Sequence, residues 1–552
     1  MKSAARSAMN HSHWGDIEEI EKAERNGEKV KRDTKLRGPM MNHRVSFAIV
    51  LALIGLWLLI VADAAAQAPG SVTDCGAPVN LSNSPGYVSA DPILLADPGG
   101  RAHLFWAERT TGKPNAVPNV PDTMMYAVWD GQEWSQPIDI FISPPQIFNK
   151  RIAGMRAVLD EQGMIHLIWI GPDNTFYYSA APAWMAGSAN AWRPAMLLAD
   201  DQTGTQYSAA IAYQPPQTLH VVYGRSPEGD NRSVVYIRST DGGLNWSAPI
   251  DLYVAWSPQR GASNLRLLFE PPAKLYATWT EWDESGNGQA IYFVRSLDGG
   301  RTWDRPVLLD ERRGDEYERD WTNLAVLEDG QLIALWEGGF RAYPQAQYSY
   351  DDGATWSPPI DTFRWLIADN GFAEFARDSQ GRLHVFLSRR IREGNEGLCD
   401  RFPGCAAAPT SNTLWHSVWE GGINWREPWP FAGFYDSNFT AAAIVGGNRV
   451  AVAWFNYTAL EVLATDCTIA DAPALAPIPW PTATPVPTPV PTATEPATSV
   501  PPTPTPFATM AVEWAPTQAE GGSMSSLVIG LAPAILIVGG AVAIIWYRRF
   551  RI

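Results

Sequence analysis

The sequence predicts an all-β fold in which repeated four-stranded units close into a ring, a β-propeller. Three observations support this prediction. A turn of the form Ser-x-Asp-x-Gly-x-x-Trp occurs three times nearly intact. A strand-like segment, typified by Leu-His-Val-Val-Tyr, recurs at intervals of roughly 50 to 65 residues, which is the spacing of propeller blades. A short strand that begins with proline follows most of these units.

The repeated turn combines residues that favour a tight reversal of the chain. The Asp side chain can accept hydrogen bonds from its own backbone, and the glycine after it can adopt positive φ. The closing Trp can pack under the turn, which predicts a structural role between the third and fourth strands of a blade. Degenerate copies of the turn lie at 129–134 and 419–425. The intact copies comprise Ser239, Asp241, Gly243 and Trp246; Ser296, Asp298, Gly300 and Trp303; and Ser349, Asp351, Gly353 and Trp356.

This turn resembles the Asp box of the sialidase-like β-propellers, the neuraminidase superfamily with BNR repeats. In that family the box lies on the face away from the active site, so the resemblance implies a structural turn. Sialidases have six blades, whereas seven second strands can be counted here, and the sequence therefore favours seven blades with six as the alternative. These second strands lie at 102–106, 165–169, 219–223, 275–279, 332–336, 383–387 and 450–454.

The two ends of the repeat region are complementary. The segment after Cys75 resembles a fourth strand, while the last unit stops after its third strand, at Cys467. We therefore expect an N-terminal strand to complete the last blade and close the ring. Four cysteines allow three pairings, and this closure selects Cys75–Cys467, leaving Cys399 with Cys405. No paired Cys-x-x-Cys or histidine cluster supports metal binding, so neither a metal nor another cofactor is expected.

The chain outside residues 67–472, the predicted propeller, divides into five segments. Residues 1–39 are charged and are interpreted as a disordered or untranslated leader, and 40–66 read as a signal peptide, with an N-terminal anchor as the alternative. Residues 473–526 form a Pro/Thr-rich stalk, 527–547 a transmembrane helix and 548–552 a cytoplasmic tail. The sequence thus predicts a single-pass protein of the cell membrane whose head is extracytoplasmic.

Charge narrows the choice of partners. The formal net charge of −16 and the pI near 5.0 disfavour a nucleic acid partner, because phosphate neutralisation needs a basic patch. The expected partners are a glycan or another anionic small ligand, and a membrane through the C-terminal helix. The oligomeric state is not predicted.

A candidate binding site follows from aligning the repeats on their second strands. One position of successive inner strands is then occupied by Ile93, Arg156, Ala210, Arg266, Asn323, Glu374 and Ala441. Inner strands line the central channel of a propeller, and the planar fork of arginine suits a carboxylate. We interpret Arg156, Arg266, Asn323 and Glu374 as substrate-binding residues. The alternative is an ion pair of Glu374 with either arginine that only fills the channel.

The resemblance also implies a chemistry, that of a metal-independent glycoside hydrolase. In sialidases three arginines hold the substrate carboxylate, a tyrosine activated by a glutamate is the nucleophile, and an aspartate is the acid/base. Here the first inner strand has 90–93 in place of the family's Arg-Ile-Pro element, and no catalytic residue carries over one for one. The candidates are Asp91, Tyr317, Glu318, Asp320 and Glu374. The predicted function is glycan binding with hydrolysis left open; a non-catalytic adhesion or assembly platform is the alternative.

Overall fold

The computed structural model describes residues 68–109, 121–142, 152–171, 175–200, 209–226, 232–314, 318–327, 330–337, 343–367, 373–392, 394–402, 412–431, 433 and 436–479. The predicted leader, signal peptide, transmembrane helix and cytoplasmic tail, and the stalk beyond residue 479, lie outside these residues. Within the described ranges, no helix is both long enough and apolar enough to cross a bilayer.

Almost all regular structure in these ranges is β-strand. The strands are β1 Val72–Thr73, β2 Val79–Asn80, β3 Val88–Ala96, β4 Ala102–Arg109, β5 Thr123–Trp129, β6 Ile138–Ile142, β7 Ala153–Leu159, β8 Met164–Ile170, β9 Phe176–Pro182, β10 Met196–Ala199, β11 Ala209–Gln214, β12 Thr218–Arg225, β13 Ser233–Ser239, β14 Ile250–Val254, β15 Gly261–Glu270, β16 Lys274–Trp282, β17 Gly288–Ser296, β18 Val307–Glu311, β19 Asp320–Val326, β20 Leu332–Glu337, β21 Pro344–Ser349, β22 Ile360–Asp361, β23 Leu366–Ile367, β24 Ala373–Arg377, β25 Leu383–Ile391, β26 Thr413–Gly421, β27 Asn424–Trp425, β28 Trp429–Pro430, β29 Ser437–Val445, β30 Arg449–Asn456 and β31 Glu461–Ile469. Short 3₁₀ helices span Ala183–Met185, Ala189–Ala191 and Glu396–Arg401.

These strands form seven antiparallel sheets, the blades of a β-propeller. In chain order, blades 1 to 5 are β3–β6, β7–β10, β11–β14, β15–β18 and β19–β22. Blade 6 is built on β24, β25, β26 and β28, with β23 and β27 added, and blade 7 on β29, β30 and β31. The prediction of seven blades is confirmed and the alternative of six is wrong.

The second strand of each blade is buried because neighbouring blades cover both of its faces. β20 and β25 are buried along their whole length, which explains why these segments are continuously apolar rather than alternating. In four of the seven blades, this second strand carries a fully buried tryptophan. Burial of a large apolar side chain contributes about 1.5–3 kcal/mol. Fully buried tryptophans at this strand are Trp106, Trp279, Trp336 and Trp454.

The ring is closed by the N-terminal segment, as the sequence predicts. β2 pairs with β31 through Val79 opposite Ala464, and β1 pairs with the end of the same strand. A disulfide joins Cys75 to Cys467 across this seam. Cys399 is also disulfide-bonded, but Cys405 lies outside the described residues, so the second pairing stays a prediction.

The three intact turns share one hydrogen-bond pattern. In the first, the Gly243 N–H donates to the Ser239 hydroxyl at 2.9 Å, and the Asp241 carboxylate accepts the N–H groups of Leu244 and Asn245. The side-chain amide of Asn245 also donates to this carboxylate, and these bonds lower the pKa of Asp241 to about 2. The closing Trp246 packs edge-on against Tyr178 of the preceding blade, so each turn also joins two blades.

The histidines that recur at one strand position belong to the architecture of the blades. The two ring nitrogens of His103 hydrogen-bond Tyr126 and Asp97. His166 and His384 likewise reach an aspartate of their own blade, and His220 reaches Tyr236 and a glutamine. Among the described residues, no group of His, Cys, Asp and Glu side chains has an arrangement that could hold a metal ion.

Candidate functional site

The centre of the ring contains a cavity of about 450 Å³. It is lined by the inner strands of six blades: β3, β7, β15, β19, β24 and β29. Six of the seven positions that the repeat alignment places on the channel line this cavity, and Ala210 does not. The six are Ile93, Arg156, Arg266, Asn323, Glu374 and Ala441.

A β-bulge stands immediately before this position in five inner strands. The register shifts before Ile93, Arg156, Arg266, Asn323 and Ala441. Because a bulge inserts an extra residue, it changes the direction in which the following side chains point. Sequence reasoning did not find these bulges. The inserted residues with positive φ are Asp91, Gly154, Asn264, Trp321 and Phe439.

Two arginines and one glutamate provide charge in the cavity. Arg266 Nη2 lies 3.7 Å from Glu374 Oε1, within ion-pair distance but beyond hydrogen-bond distance. The Glu374 side chain is 31% exposed, towards the channel, and that of Arg266 is 12% exposed. Burial raises the pKa of Glu374 above its ordinary value, and Arg266 and Arg156 oppose this shift. The pairing of Arg266 with Glu374 is thus present, and it leaves part of the carboxylate accessible.

Asn323 reaches the cavity but also holds the inner strands together. Its amide nitrogen donates to the Ala373 carbonyl of blade 6, and its oxygen accepts the Leu324 N–H at 2.8 Å. Each bond takes one of the two donor or two acceptor positions of the amide. Asn323 therefore positions neighbouring blades around the cavity.

The other charged residues of the cavity are tied to the protein. Asp91 accepts a hydrogen bond from Arg109, whose guanidinium also donates to the Ile152 carbonyl of blade 2. Arg377 donates to the carbonyls of Gly381 and Val326. Arg156 and Arg266 also donate to backbone carbonyls, those of Met155 and Leu265, and with Glu374 they occupy the aligned channel position of the cavity wall.

Two of the remaining catalytic candidates are placed away from the cavity lining, and Tyr317 lies outside the described residues. Asp320 is buried, and its Oδ1 accepts hydrogen bonds from Asn264 at 2.6 Å and from the Trp282 indole at 2.8 Å. Burial raises the pKa of Asp320 to about 7. Glu318 is half-buried, and burial raises its pKa while Arg312 lowers it. Neither side chain lines the cavity.

Most of the remaining lining is apolar. Leu94, Leu268, Phe269 and Phe439 contribute to it. A cavity with apolar walls and a few charged groups fits a small ligand that has both kinds of surface. A monosaccharide that carries an acidic group is such a ligand.

The architecture can now be compared with known proteins. Seven antiparallel blades surround a central cavity, the Ser-x-Asp turn connects the last two strands of three blades, and a strand from the N-terminus completes the last blade. The chain has the fold of a seven-bladed β-propeller. No protein-family model matches the sequence, and no curated protein matches it.

Solved structures similar to this propeller include proteins named as a sialidase and an arabinanase. One is the NanB sialidase of Streptococcus pneumoniae, with 14% identity, a TM-score of 0.40, and coverage of 74% of this chain and 71% of the sialidase chain. Another is the α-L-arabinanase of Penicillium chrysogenum, with 14% identity, a TM-score of 0.39, and coverage of 60% and 98%. A protein of unknown function from Dyadobacter fermentans has 14% identity, a TM-score of 0.44, and coverage of 73% and 100%. Similarities at this level carry no argument about activity.

Proposed function

We propose that this protein is an exported, membrane-tethered propeller that binds an acidic glycan in its central channel. One observation carries the proposal: Arg156, Arg266 and Glu374 line a single cavity of about 450 Å³ whose walls are otherwise largely apolar. Charged groups are costly to bury unless they are paired or solvated. Arg266 Nη2 and Glu374 Oε1 are 3.7 Å apart, so a positive and a negative group stand side by side in the cavity wall.

The chemistry of the cavity defines the class of ligand. A carboxylate or sulfate would accept hydrogen bonds from the two guanidinium groups, as their planar forks favour. Glu374 would accept a hydrogen bond from a sugar hydroxyl. The apolar walls, including Leu268 and Phe439, would contact the C–H faces of the ring.

The geometry supports binding better than hydrolysis. Among the described residues that line the cavity, the carboxylates are Asp91 and Glu374, and no tyrosine is present. Asp91 is held by Arg109, which leaves Glu374 as the accessible carboxylate. Hydrolysis in most glycosidases needs two suitably placed carboxyl groups. Turnover is therefore an outcome to be tested and is not part of the proposal.

Export and tethering are supported by the sequence and by the closure of the ring. The apolar run in 40–66 ends in small residues, and the apolar run 527–547 is followed by Arg548, Arg549 and Arg551. A disulfide between Cys75 and Cys467 fits an oxidising compartment, because such bonds are rare in the cytosol.

The test is a glycan array that contains acidic and neutral members, probed with the parent and with Arg156→Ala and Arg266→Ala. Each variant should bind acidic glycans about 10- to 100-fold more weakly, the effect of losing a charge-assisted hydrogen bond of about 1.5–3 kcal/mol. Arg301→Ala, which removes the same charge from an exposed position of a Ser-x-Asp turn, should bind like the parent. Unchanged binding by both folded channel variants would overturn the proposal.

The same proteins should be tested on a panel of fluorogenic glycosides, sialosides included. Turnover by the parent that is lost in Glu374→Gln would replace the binding function by an enzymatic one. Absence of turnover together with specific binding would support the proposal as stated.

A further inference from the structure

Four aromatic side chains form a continuous line that starts at the cavity. Trp321 and Phe439 meet edge-on with ring centroids 5.8 Å apart. Phe439, which lines the cavity, lies 6.4 Å from Phe455, and Phe455 lies 6.2 Å from Tyr457. We call these four residues the aromatic track. It joins blade 5 to blade 7 and then follows the end of β30.

The residues that carry the first two rings of the track adopt an unfavourable backbone conformation. Trp321 has a φ of +48° and Phe439 a φ of +46°, a region that bulky side chains rarely occupy. At the same bulge in other blades stand Asp91, Gly154 and Asn264, residue types that enter this region at lower cost. Strain of this kind costs about 1–3 kcal/mol and is concentrated at functional sites. Two aromatic residues therefore occupy bulge positions at the expense of stability, and one of them, Phe439, lines the cavity.

The far end of the track is an exposed ring on a well-ordered turn. Phe455 is only 6% exposed and supports its neighbours, whereas Tyr457 is 65% exposed. The Tyr457 N–H donates to the Asp436 carbonyl, and the Thr458 hydroxyl donates to the Asp436 carboxylate at 2.7 Å. The Asn456 side chain accepts the Ala459 N–H at 2.7 Å. A large exposed ring on a turn fixed in this way is suited to contact a ligand.

We propose that the aromatic track binds further sugar residues of an acidic oligosaccharide whose charged residue occupies the channel. The inference rests on the proposed function, and it extends the ligand from one sugar to a chain. The electron-rich faces of aromatic rings attract the C–H groups on the face of a pyranose. Phe439 lines the cavity that holds Arg156 and Arg266, and the buried Phe455 joins it to the exposed Tyr457, so a chain anchored in the cavity by its acidic group can extend to the Tyr457 ring.

The experiment measures how affinity depends on chain length. Full-length protein is titrated calorimetrically with uronate, sialyl and sulfated oligosaccharides of one to six residues. For a series that binds, the longer members should bind more tightly than the monosaccharide. Tyr457→Ala should weaken the longer members about 3- to 10-fold, the value of one aromatic contact, and leave the monosaccharide unchanged. Tyr457→Phe, which keeps the ring, should bind nearly as the parent does.

Tyr350→Ala is the matched control, because Tyr350 is exposed to a similar extent on a Ser-x-Asp turn. It should bind every member as the parent does. If monosaccharides bind but affinity does not grow with length, or if Tyr457→Ala binds as the parent does, the track is not a binding surface while the proposed function stands. If no series binds at any length, both are overturned.

Discussion

The hydroxyl oxygen of Tyr178 lies 1.9 Å from the position that a Cβ atom on Gly243 would occupy. This hydroxyl is fixed, since it hydrogen-bonds His166 Nδ1 at 2.8 Å and donates to the Gly242 carbonyl. Tyr236 stands in the same relation to Gly300, at 2.0 Å. The glycine of the repeated turn is therefore required for two reasons, its positive φ and the approach of an aromatic side chain from the preceding blade.

Replacing Gly243 by alanine should destabilise the propeller by about 2–3 kcal/mol, because overpacking against the fixed Tyr178 adds to the cost of positive φ. Gly242→Ala is the control, since Gly242 also has positive φ but no atom lies within 4 Å of its Cβ position. It should cost about 1 kcal/mol, from the backbone alone. Urea unfolding measures both, and equal losses would contradict the role assigned to Tyr178.

Removal of the closing disulfide should open the seam of the ring. The bond joins residues separated by 392 positions, and the chain-entropy model gives about 6 kcal/mol for a loop of this length, as an upper figure. Cys75→Ser with Cys467→Ser should therefore lower the free energy of unfolding by several kcal/mol without changing the fold. Calorimetric melting compares it with the parent, and an unchanged melting temperature would show that the pairing of β2 with β31 closes the ring unaided.

Removal of Arg389 and removal of Arg266 should lower the free energy of unfolding by different amounts. Arg389 is fully buried against Glu337. Arg389→Ala would leave the Glu337 carboxylate buried without its arginine and should lower the free energy of unfolding by about 3–5 kcal/mol. Glu374 keeps contact with the channel, and its pKa, already raised by burial, can rise further until the group is protonated. Arg266→Ala should therefore cost no more than about 1 kcal/mol. If both variants lose the same stability in urea melts, the channel pair is structural and the binding role of Arg266 fails.

Stability should depend on pH through Asp320. Unfolded aspartate has a pKa of about 3.9, whereas burial raises the pKa of Asp320 in the folded protein to about 7. Its contribution to stability is thus fully present below about pH 4 and is lost as the pH rises through 7. Asp320→Asn cannot ionise and keeps an acceptor for Asn264 and Trp282. Between pH 4 and 8, its free energy of unfolding should therefore rise relative to that of the parent by on the order of 3–4 kcal/mol.

Urea unfolding from pH 4.5 to 8.5 tests this expectation, and Asp241→Asn is a control whose pH profile should run parallel to that of the parent in this range. Hydrogen bonds from Asn245 and Ser239 lower the pKa of Asp241 to about 2, so this group stabilises the fold above about pH 4 and loses that effect as the pH falls towards 2. Asp241→Asn should be less stable than the parent at neutral pH. A parent and an Asp320→Asn variant with parallel pH profiles would refute the assignment.

The fragment 67–522 should remain soluble and folded when it is expressed without the two apolar runs. All seven blades lie within it, and both runs lie outside it. Detergent phase partitioning compares it with the full chain. A fragment that enters the detergent phase would show that the head itself contacts membrane and that the predicted topology is wrong.

The blades could be predicted, because each blade is encoded by a local pattern that repeats. The second strands, the proline-led fourth strands and the Ser-x-Asp turns give a common register, from which Arg156, Arg266 and Glu374 could be aligned before their positions in space were known. The match between the segment after Cys75 and a fourth strand likewise predicted the closure and its disulfide. The roles of the aligned residues remain predictions.

How the residues around the channel are used depends on contacts that form only in the folded ring. Trp321 and Phe439 adopt positive φ against their own preference, because contacts across the ring outweigh local conformational energy. Contacts between blades also set the surroundings of Asp320 and Asn323. Asp320 accepts a hydrogen bond from Asn264 of the neighbouring blade, and the amide of Asn323 donates to the backbone of the next blade. Such contacts join residues far apart in the chain, and no periodicity in the sequence records which side chains will meet once seven blades have closed around a common axis.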